Sequence, residues 1–172
     1  GYQFTNSYRW LGAPLNIDFS LGIDGISAPM VLLTGIVMLA GILVAWNINH
    51  RPKDFFVLYL LLVAGVFGVF VTRDLFFFFF FYELAVVPMY LLIGVWGSSS
   101  SFKTFVRTKE YGAIKLILYL VAGSVLVWVA ILAVYVAADQ GSFALADLTK
   151  AQFSPGFQRF FFPLFMVGFG VL

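Results

Sequence analysis

The sequence predicts an all-α fold, a polytopic transmembrane helix bundle with four full spans and a truncated fifth. Three observations support this prediction. Of the 172 residues, 62% are hydrophobic and only 10% are charged, whereas a soluble domain carries about 25% charged residues. The mean hydropathy is +1.01. Apolar stretches of roughly 19 to 27 residues recur along the chain, and about 20 apolar residues in a helix cross the hydrocarbon core of a bilayer.

The composition also excludes several classes of protein. The chain has no cysteine and one histidine, His50, so it cannot hold an iron–sulfur cluster through thiolates or a haem through two histidines. The net charge of +2 and the pI near 8.9 are too small a basic excess for nucleic-acid binding. Any redox chemistry therefore belongs to a partner. No initiator methionine or signal peptide is visible, and we expect an internal piece of a longer protein.

The chain divides into two predicted regions. Residues 1–24 mix glycine, proline, asparagine and aromatic residues, which predicts an extramembrane loop. Residues 25–172 are the transmembrane helical domain, with helices predicted at about 25–48, 54–72, 75–96, 111–137 and 159–172. The last segment has 14 residues, worth about 21 Å as a helix, which is shorter than the membrane core. We therefore expect the domain to continue beyond the fragment.

Lysine and arginine placement predicts the orientation. One side of the membrane receives the short loops near 47–54 and 97–111, which carry Arg51, Lys53, Lys103, Arg107 and Lys109. The other side receives Arg9, Arg73, Lys150 and Arg159 over more residues. By the positive-inside rule the first side is cytoplasmic, which places the loop of residues 1–24 on the periplasmic side.

The starts of the apolar segments have two features. Asp24, Asp54 and Asp74 each precede a segment, where a carboxylate can cap the free N–H groups of a helix and meet its positive dipole end. An ion entrance at the membrane surface is the other interpretation, and no spacing supports it. The third segment opens with six consecutive phenylalanines, Phe76–Phe81, which we expect to face lipid.

Glu83 lies in the middle of the third segment. A charge at the bilayer centre costs about 2.5–3.5 kcal/mol on insertion scales, so such a residue faces the bundle interior or a wet cavity and has a functional role by default. The alternative is a protonated glutamate that hydrogen-bonds a neighbouring helix and only stabilises the helix packing. Pro88 follows five residues later and frees the carbonyl of Leu84, which makes a hydrated pocket beside Glu83 plausible.

Lys115 is the second ionisable residue inside an apolar segment. On a helix, Tyr111, Lys115, Tyr119 and Ala122 share one face, which gives a narrow polar stripe. A lysine about one turn inside a helix end can also extend to the interface and serve no other purpose. Spacing alone leaves both interpretations open.

Three motifs recur in a known protein family. The first combines a phenylalanine run, an aromatic-Glu pair, Val-Pro-Met-Tyr and Trp-Gly, and it extends from Asp74 to Gly97. The second is Leu-Gly-Ile-Asp-Gly-Ile-Ser at 21–27, and the third is Ala-Ile-Lys-Leu-Ile-Leu-Tyr at 113–119. With these motifs the sequence resembles the subunit 4 family (chain M in bacteria) of proton-pumping NADH-quinone oxidoreductase, respiratory complex I. The resemblance implies a fragment of a fourteen-helix antiporter-like subunit, from the third helix to the first part of the seventh.

The resemblance also implies site residues. Glu83 matches the family's essential glutamate of helix five and Lys115 its lysine of helix six, which together make the proton relay, with Pro88, Tyr90 and Tyr119 in support. The family's lysine partner for the glutamate, in helix seven, lies beyond Leu172. The chain is therefore expected to contain an incomplete proton channel and no cofactor or metal site.

The expected function is that of a proton-translocating subunit of a NADH:quinone oxidoreductase, a translocase. Quinone reduction in partner subunits drives transfer through Glu83 and Lys115, and NADH, FMN, iron–sulfur clusters and quinone belong to those partners. Neighbouring antiporter-like subunits and lipid are the expected partners, without nucleic acid, in a bacterial plasma membrane. Alternatives are a subunit of a multisubunit Na⁺/H⁺ antiporter or of a membrane-bound hydrogenase, and a passive scaffold. The sequence leaves open which cation moves, which quinone is used and which electron donor acts.

Overall fold

The computed structural model describes residues 2–13, 15–101 and 106–171. The fold is mostly helical, with two short antiparallel strand pairs. The helices are α1 (Ser27–Val44, followed by the 3₁₀ turn Ala45–Asn47), α2 (Pro52–Val71), α3 (Leu75–Trp96), α4 (Lys109–Ala138), α5 (Leu145–Leu148) and α6 (Pro155–Gly170). The strands are β1 (Gln3–Leu11), β2 (Ile17–Ile23), β3 (Ser100–Ser101) and β4 (Val106–Arg107).

Among the described residues, four helices are long and apolar enough to cross a membrane: α1 with its 3₁₀ turn, α2, α3 and α4. They have 20 to 30 residues each, and about 20 suffice at a rise of 1.5 Å per residue. The predicted bundle with four full spans is therefore confirmed, and the chain is a multi-pass membrane protein. The 16-residue helix α6 packs against α4.

The helices pack in chain order, α1 on α2, α2 on α3, α3 on α4 and α4 on α6. Glycines allow two of these contacts to be close. A Cβ atom on Gly65 of α2 would lie 2.9 Å from the backbone oxygen of Phe81 and 3.0 Å from the Cβ of Ala85 on α3. A Cβ on Gly123 of α4 would lie 2.9 Å from the backbone oxygen of Gly168 on α6. Small residues at helix crossings let two backbones approach in this way.

The N-terminal region is a β-hairpin rather than the loop expected from its composition. Strands β1 and β2 are antiparallel, with Arg9 opposite Asp18 and Ser7 opposite Ser20. The sequence carried a signal for β2, because Ile17–Ile23 alternates apolar residues with Asp, Ser and Gly. Strict alternation is typical of a half-buried strand. The glycine and aromatic content of residues 1–24 favoured a loop instead.

The linker Thr72–Asp74 between α2 and α3 is held on both sides by backbone hydrogen bonds. The N–H of Arg73 donates to the Ser20 oxygen of β2 at 2.9 Å, and the Arg73 oxygen accepts from the N–H of Leu145 at 3.0 Å. The N–H of Leu75 donates to the Phe143 oxygen at 3.0 Å. This linker therefore joins the hairpin, the start of α3 and the segment after α4.

The phenylalanine run does not face lipid alone, because five of its six members are partly buried. Phe76, Phe77 and Phe79 lie against a buried cluster formed by Ile17, Val127, Ile131 and Phe143. The ring of Phe79 stacks on that of Trp128 of α4 with 4.6 Å between centroids. Six helical residues turn through about 600°, so a run of this length covers every face of the helix. Phe80 is the member that is 49% exposed.

The predicted caps hold at two of three positions. Oδ1 of Asp74 accepts from the backbone N–H groups of Phe76 at 2.8 Å and Phe77 at 3.3 Å, and Oδ1 of Asp24 does the same for Ile26 and Ser27 ahead of α1. The cap predicted at Asp54 is wrong. Proline suits the first turn of a helix, so α2 begins at Pro52 and Asp54 lies inside it, paired with Arg51 at 2.7 Å.

Replacing Gly65 by valine is expected to lower the free energy of unfolding by about 1–3 kcal/mol, the usual cost of overpacking a close contact. The new side chain would meet the backbone of α3, which yields only if α2 and α3 separate. Thermal unfolding in lipid nanodiscs measures the change. Gly35→Val is the matched control, because a Cβ on Gly35 of α1 has nothing within 4 Å. Equal melting temperatures for the two variants would contradict this packing.

Candidate functional site

Glu83 lies inside α3, about 12 Å along the helix from its first residue. The side chain is partly buried, and its Oε1 atom is enclosed with no hydrogen-bond partner in the described part of the chain. The hydroxyl of Ser124, on the neighbouring helix α4, is the hydrogen-bonding group that faces the carboxyl. Ser124 is itself only 5% exposed. The carboxyl group therefore faces a protein neighbour within the bundle.

The position of Ser124 follows from the packing of α4. Gly123, the preceding residue, lies against the backbone of Gly168 on α6, and this contact fixes the rotation of α4. The Ser124 Oγ also lies 3.1 Å from the Val121 oxygen of its own helix. A hydroxyl has one donor and two acceptor positions. It can donate to an ionised Glu83, or accept from a protonated Glu83 while donating to Val121.

Tyr82 provides a second polar atom at this level of α3. Its side chain is only 9% exposed, and its hydroxyl has no hydrogen-bond partner among the described residues. Most buried polar groups are bonded to protein or to ordered water. Two adjacent residues, Tyr82 and Glu83, thus present unsatisfied polar atoms at mid-helix, in an otherwise apolar segment.

Pro88 is buried within α3, and the helix continues through it to Trp96. Tyr90 lies farther toward the same end and lines a groove of about 310 Å³ with Gly94, Glu110 and Ala113. This groove separates the ends of α3 and α4 and is distinct from the surroundings of Ser124. The end of α3 is held by the ammonium group of Lys109, which donates to the Val95 oxygen at 2.6 Å.

Lys115 lies on an exposed face of α4. It lines a groove of about 410 Å³ together with Tyr111, Tyr119 and Ala122, so the polar stripe predicted from the spacing forms one surface. The Lys115 Nζ is 5.9 Å from the centroid of the Tyr119 ring, within the range of a cation–π contact. The groove is open at the surface of the chain.

Glu83 and Lys115 are not brought together. Lys115 is nine residues before Ser124 on α4, which corresponds to about 13 Å along the helix and about half a turn around it. Ser124 faces Glu83, so Lys115 lies on the opposite side of α4. Among the described residues, no three His, Cys, Asp or Glu side chains come together as a metal site would require. The Glu83 site can hold and release a proton.

Sequence reasoning missed Ser124 as a neighbour of Glu83. A usable signal was present, because Ser124 is the single serine or threonine between Tyr111 and Ala137 and follows a glycine. A lone hydroxyl in an apolar span, beside a small residue, is typical of a helix–helix contact. Which helix it contacts requires the packing.

Solved structures share this fold. Over 97% of this chain, the structure superposes on a chain of respiratory complex I from Thermus thermophilus with bound NADH, with a TM-score of 0.81, 22% identity and 33% of that chain covered. A chain of the archaeal membrane-bound sulfane sulfur reductase gives a TM-score of 0.68 at 18% identity, covering 97% of this chain and 25% of that one.

Sequence relatives point to the same group. The chain is 39% identical over 171 residues to NAD(P)H-quinone oxidoreductase chain 4 3 of Picosynechococcus sp., covering 99% of this chain and 30% of the relative. It is 37% identical over 171 residues to chain 4 1 of Synechococcus elongatus, with the same two coverages. The chain thus spans about 30% of the length of these relatives. Residues 72–172 match the family described as NADH:quinone oxidoreductase/Mrp antiporter, TM, and the chain belongs to that family of membrane subunits.

Proposed function

We propose that this chain forms part of the proton-translocating membrane subunit of a NADH-quinone oxidoreductase of the complex I type. Glu83 is the proton carrier and Lys115 the second ionisable group of the relay. The observation that carries the proposal is the placement of Glu83, which lies mid-span on α3 and faces the Ser124 hydroxyl, while one enclosed carboxyl oxygen has no partner among the described residues.

The surroundings of Glu83 support a carrier that changes its protonation state. A mid-membrane carboxylate is costly unless a polar partner or a cation accompanies it. Ser124 can hydrogen-bond the protonated and the ionised form in turn, and Oε1, which has no partner among the described residues, can accept a further hydrogen bond. A cationic side chain outside these 172 residues, or water that reaches Oε1, would complete the site.

Lys115 has a different part in the proposal. Because it lies on the far side of α4 from Glu83, the two side chains are too distant for a direct ion pair. Its charge acts at the groove that it lines with Tyr119 and Tyr111. In this proposal the groove receives the proton that leaves the Glu83 site. Tyr119 contributes a hydroxyl and an aromatic face beside the ammonium group. Pro88 and Tyr90 on α3 are supporting residues of the relay in this proposal.

Energy for transport comes from partner subunits in this proposal. The chain has no cysteine and a single histidine, so NADH, FMN, iron–sulfur clusters and quinone would bind to the partners, and other antiporter-like subunits would be the neighbours in a bacterial plasma membrane. The family description also includes Mrp antiporters, which makes a subunit of a multisubunit Na⁺/H⁺ antiporter the second candidate. Copurification from native membranes separates the two, because a peripheral flavin and iron–sulfur arm supports the first function alone.

Glu83→Gln tests the carrier role. Glutamine keeps the shape and cannot carry the proton, so proton pumping by the reconstituted complex should fall on the order of a hundredfold, the usual scale for loss of a proton-transfer group. Glu110→Gln is the matched control, since Glu110 is the other glutamate of the chain and is exposed. Native gel electrophoresis must find both variants assembled. Undiminished pumping by assembled Glu83→Gln complex would refute the carrier role, and assembly lost in parallel with activity would favour the scaffold.

Ser124→Ala removes the hydroxyl that faces Glu83. Loss of a hydrogen bond to a charged group costs about 1.5 kcal/mol or more, so we expect a roughly tenfold lower pumping rate at unchanged assembly. Thr34→Ala is the control, because the Thr34 hydroxyl donates to the Met30 oxygen of its own helix. If the two variants pumped equally fast, Ser124 would have no part in the relay.

Lys115→Met tests the second group of the relay, and we expect a clear loss of pumping with normal assembly. Lys115→Arg keeps the charge and should retain most of the activity, while Lys53→Met removes an exposed charge and should have little effect. Proton uptake by vesicles that contain the complex measures all three. Wild-type rates in Lys115→Met would mean that this lysine only extends to the membrane interface.

A further inference from the structure

Five polar side chains lie where β2 meets the α2–α3 linker, on either side of its backbone, and we call them the hairpin seat: Asp18, Ser20, Thr72, Arg73 and Asp74. Each has a buried polar atom without a hydrogen-bond partner in the described part of the chain. These atoms are Oδ1 of Asp18, Oγ of Ser20, Oγ1 of Thr72, Nε of Arg73 and Oδ2 of Asp74. Buried polar groups are nearly always bonded to protein or to ordered water. The hairpin seat therefore offers several free polar atoms to which water can bond.

Backbone pairing holds the hairpin seat together. Thr72 forms a bridge to Leu21 of β2, and Asp74 forms one to Ala144 after α4. Thr72 and Asp74 both have extended backbones, so their side chains lie on the same side of the linker. The side chain of Arg73 passes over Gly22 of β2. Rigid backbone contacts, rather than mobile side chains, set this arrangement.

Asp74 is the central group of the hairpin seat. Its side chain is completely buried and Thr72 is 8% exposed. Oδ1 of Asp74 accepts the two N-cap hydrogen bonds of α3, whereas Oδ2 has no partner in the part of the chain that the structure describes. A carboxyl group can keep Oδ1 as the capping acceptor and carry a proton on Oδ2, which then becomes a donor toward water or the Thr72 hydroxyl.

The charges around Asp74 favour its neutral form. The pKa of Asp74 is raised to about 6, mainly because the carboxyl group is buried and in smaller part because of the negative charge of Asp18, while the backbone N–H groups of Phe77, Phe76 and Asp18 lower it. The Arg73 guanidinium lies over the ring of Tyr2 at 4.1 Å. On the segment after α4, Asp147 is paired with Lys150 at 3.0 Å, and both are solvent-accessible.

We propose that the hairpin seat is a hydrated proton-binding site in which Asp74 carries the exchangeable proton. Burial of Asp74 favours the bound proton, the charge of Asp18 adds to that preference, and water molecules bond the remaining free atoms. This site lies at the start of α3, about 13 Å along the helix from Glu83. It does not depend on the function proposed for Glu83.

Infrared difference spectroscopy on the complete, purified complex tests the proposal. In a titration from about pH 4.5 to about pH 8, we expect a C=O stretch of a protonated carboxyl group that disappears with a midpoint near pH 6. Asp74→Asn should remove this band, and asparagine still caps α3 because it is as good an N-cap as aspartate. Asp18→Asn should keep the band and move its midpoint to lower pH, because the neighbouring negative charge is gone.

Two control variants separate this site from other carboxyl groups. Asp147→Asn removes a solvent-accessible carboxylate, and Glu83→Gln removes the mid-span one; both should leave the band in place. A band that survives in Asp74→Asn, or the absence of any band titrating near pH 6, overturns the proposal. If Asp74→Asn fails to assemble, the Asp18→Asn variant tests the proposal instead. An unchanged midpoint of the carboxyl band in Asp18→Asn would also overturn the proposal. Pumping in Glu83→Gln is a separate result, so either proposal can fail alone.

Discussion

The backbone hydrogen bonds of the Thr72–Asp74 linker are the constraint on which the rest of the structure depends. Arg73 is bonded to Ser20 on one side and to Leu145 on the other. A short turn between two spans would otherwise leave its polar backbone groups unsatisfied close to the apolar core, where each costs several kcal/mol. Because the linker fixes where α3 starts, it also fixes the depth of Glu83 along the helix.

Close packing then sets the lateral neighbours of Glu83. Lipid gives no hydrophobic drive for helices to associate, so van der Waals contact and hydrogen bonds decide which faces meet. The contact of Gly123 with Gly168 holds α4 against α6, and the next residue, Ser124, faces the Glu83 carboxyl. A larger side chain at Gly123 would push the helices apart and turn the hydroxyl away. The polar site thus depends on glycines that carry no chemistry themselves.

The sequence predicted the spans and the mid-membrane glutamate well, because both follow from simple energetic rules. Long apolar runs must cross the bilayer, and Glu83 stands out as a carboxylate in the middle of such a run. The packing of the phenylalanine run against the protein and the β-hairpin were not predicted, and the reason is the same for both. Composition suggests lipid exposure or loop structure, whereas the packing of partly buried Phe77 and buried Ile17 against Val127 and Ile131 of α4 depends on the tertiary structure. Ser124 was similarly undistinguished until the rotation of α4 was known.

The separation of Glu83 and Lys115 constrains any mechanism that uses both. A proton moves along hydrogen bonds of about 2.7–3 Å, so a path of about 13 Å along α4 needs some four or five intermediate groups. Between Lys115 and Ser124 on α4, the side-chain hydroxyls are those of Tyr119 and Ser124 itself, and they lie on opposite faces of the helix. The interval between them is lined by apolar side chains such as Leu120 and Val121, which cannot carry a proton. Water, or side chains contributed from outside these 172 residues, must therefore bridge the two faces of α4 if Glu83 and Lys115 belong to one relay.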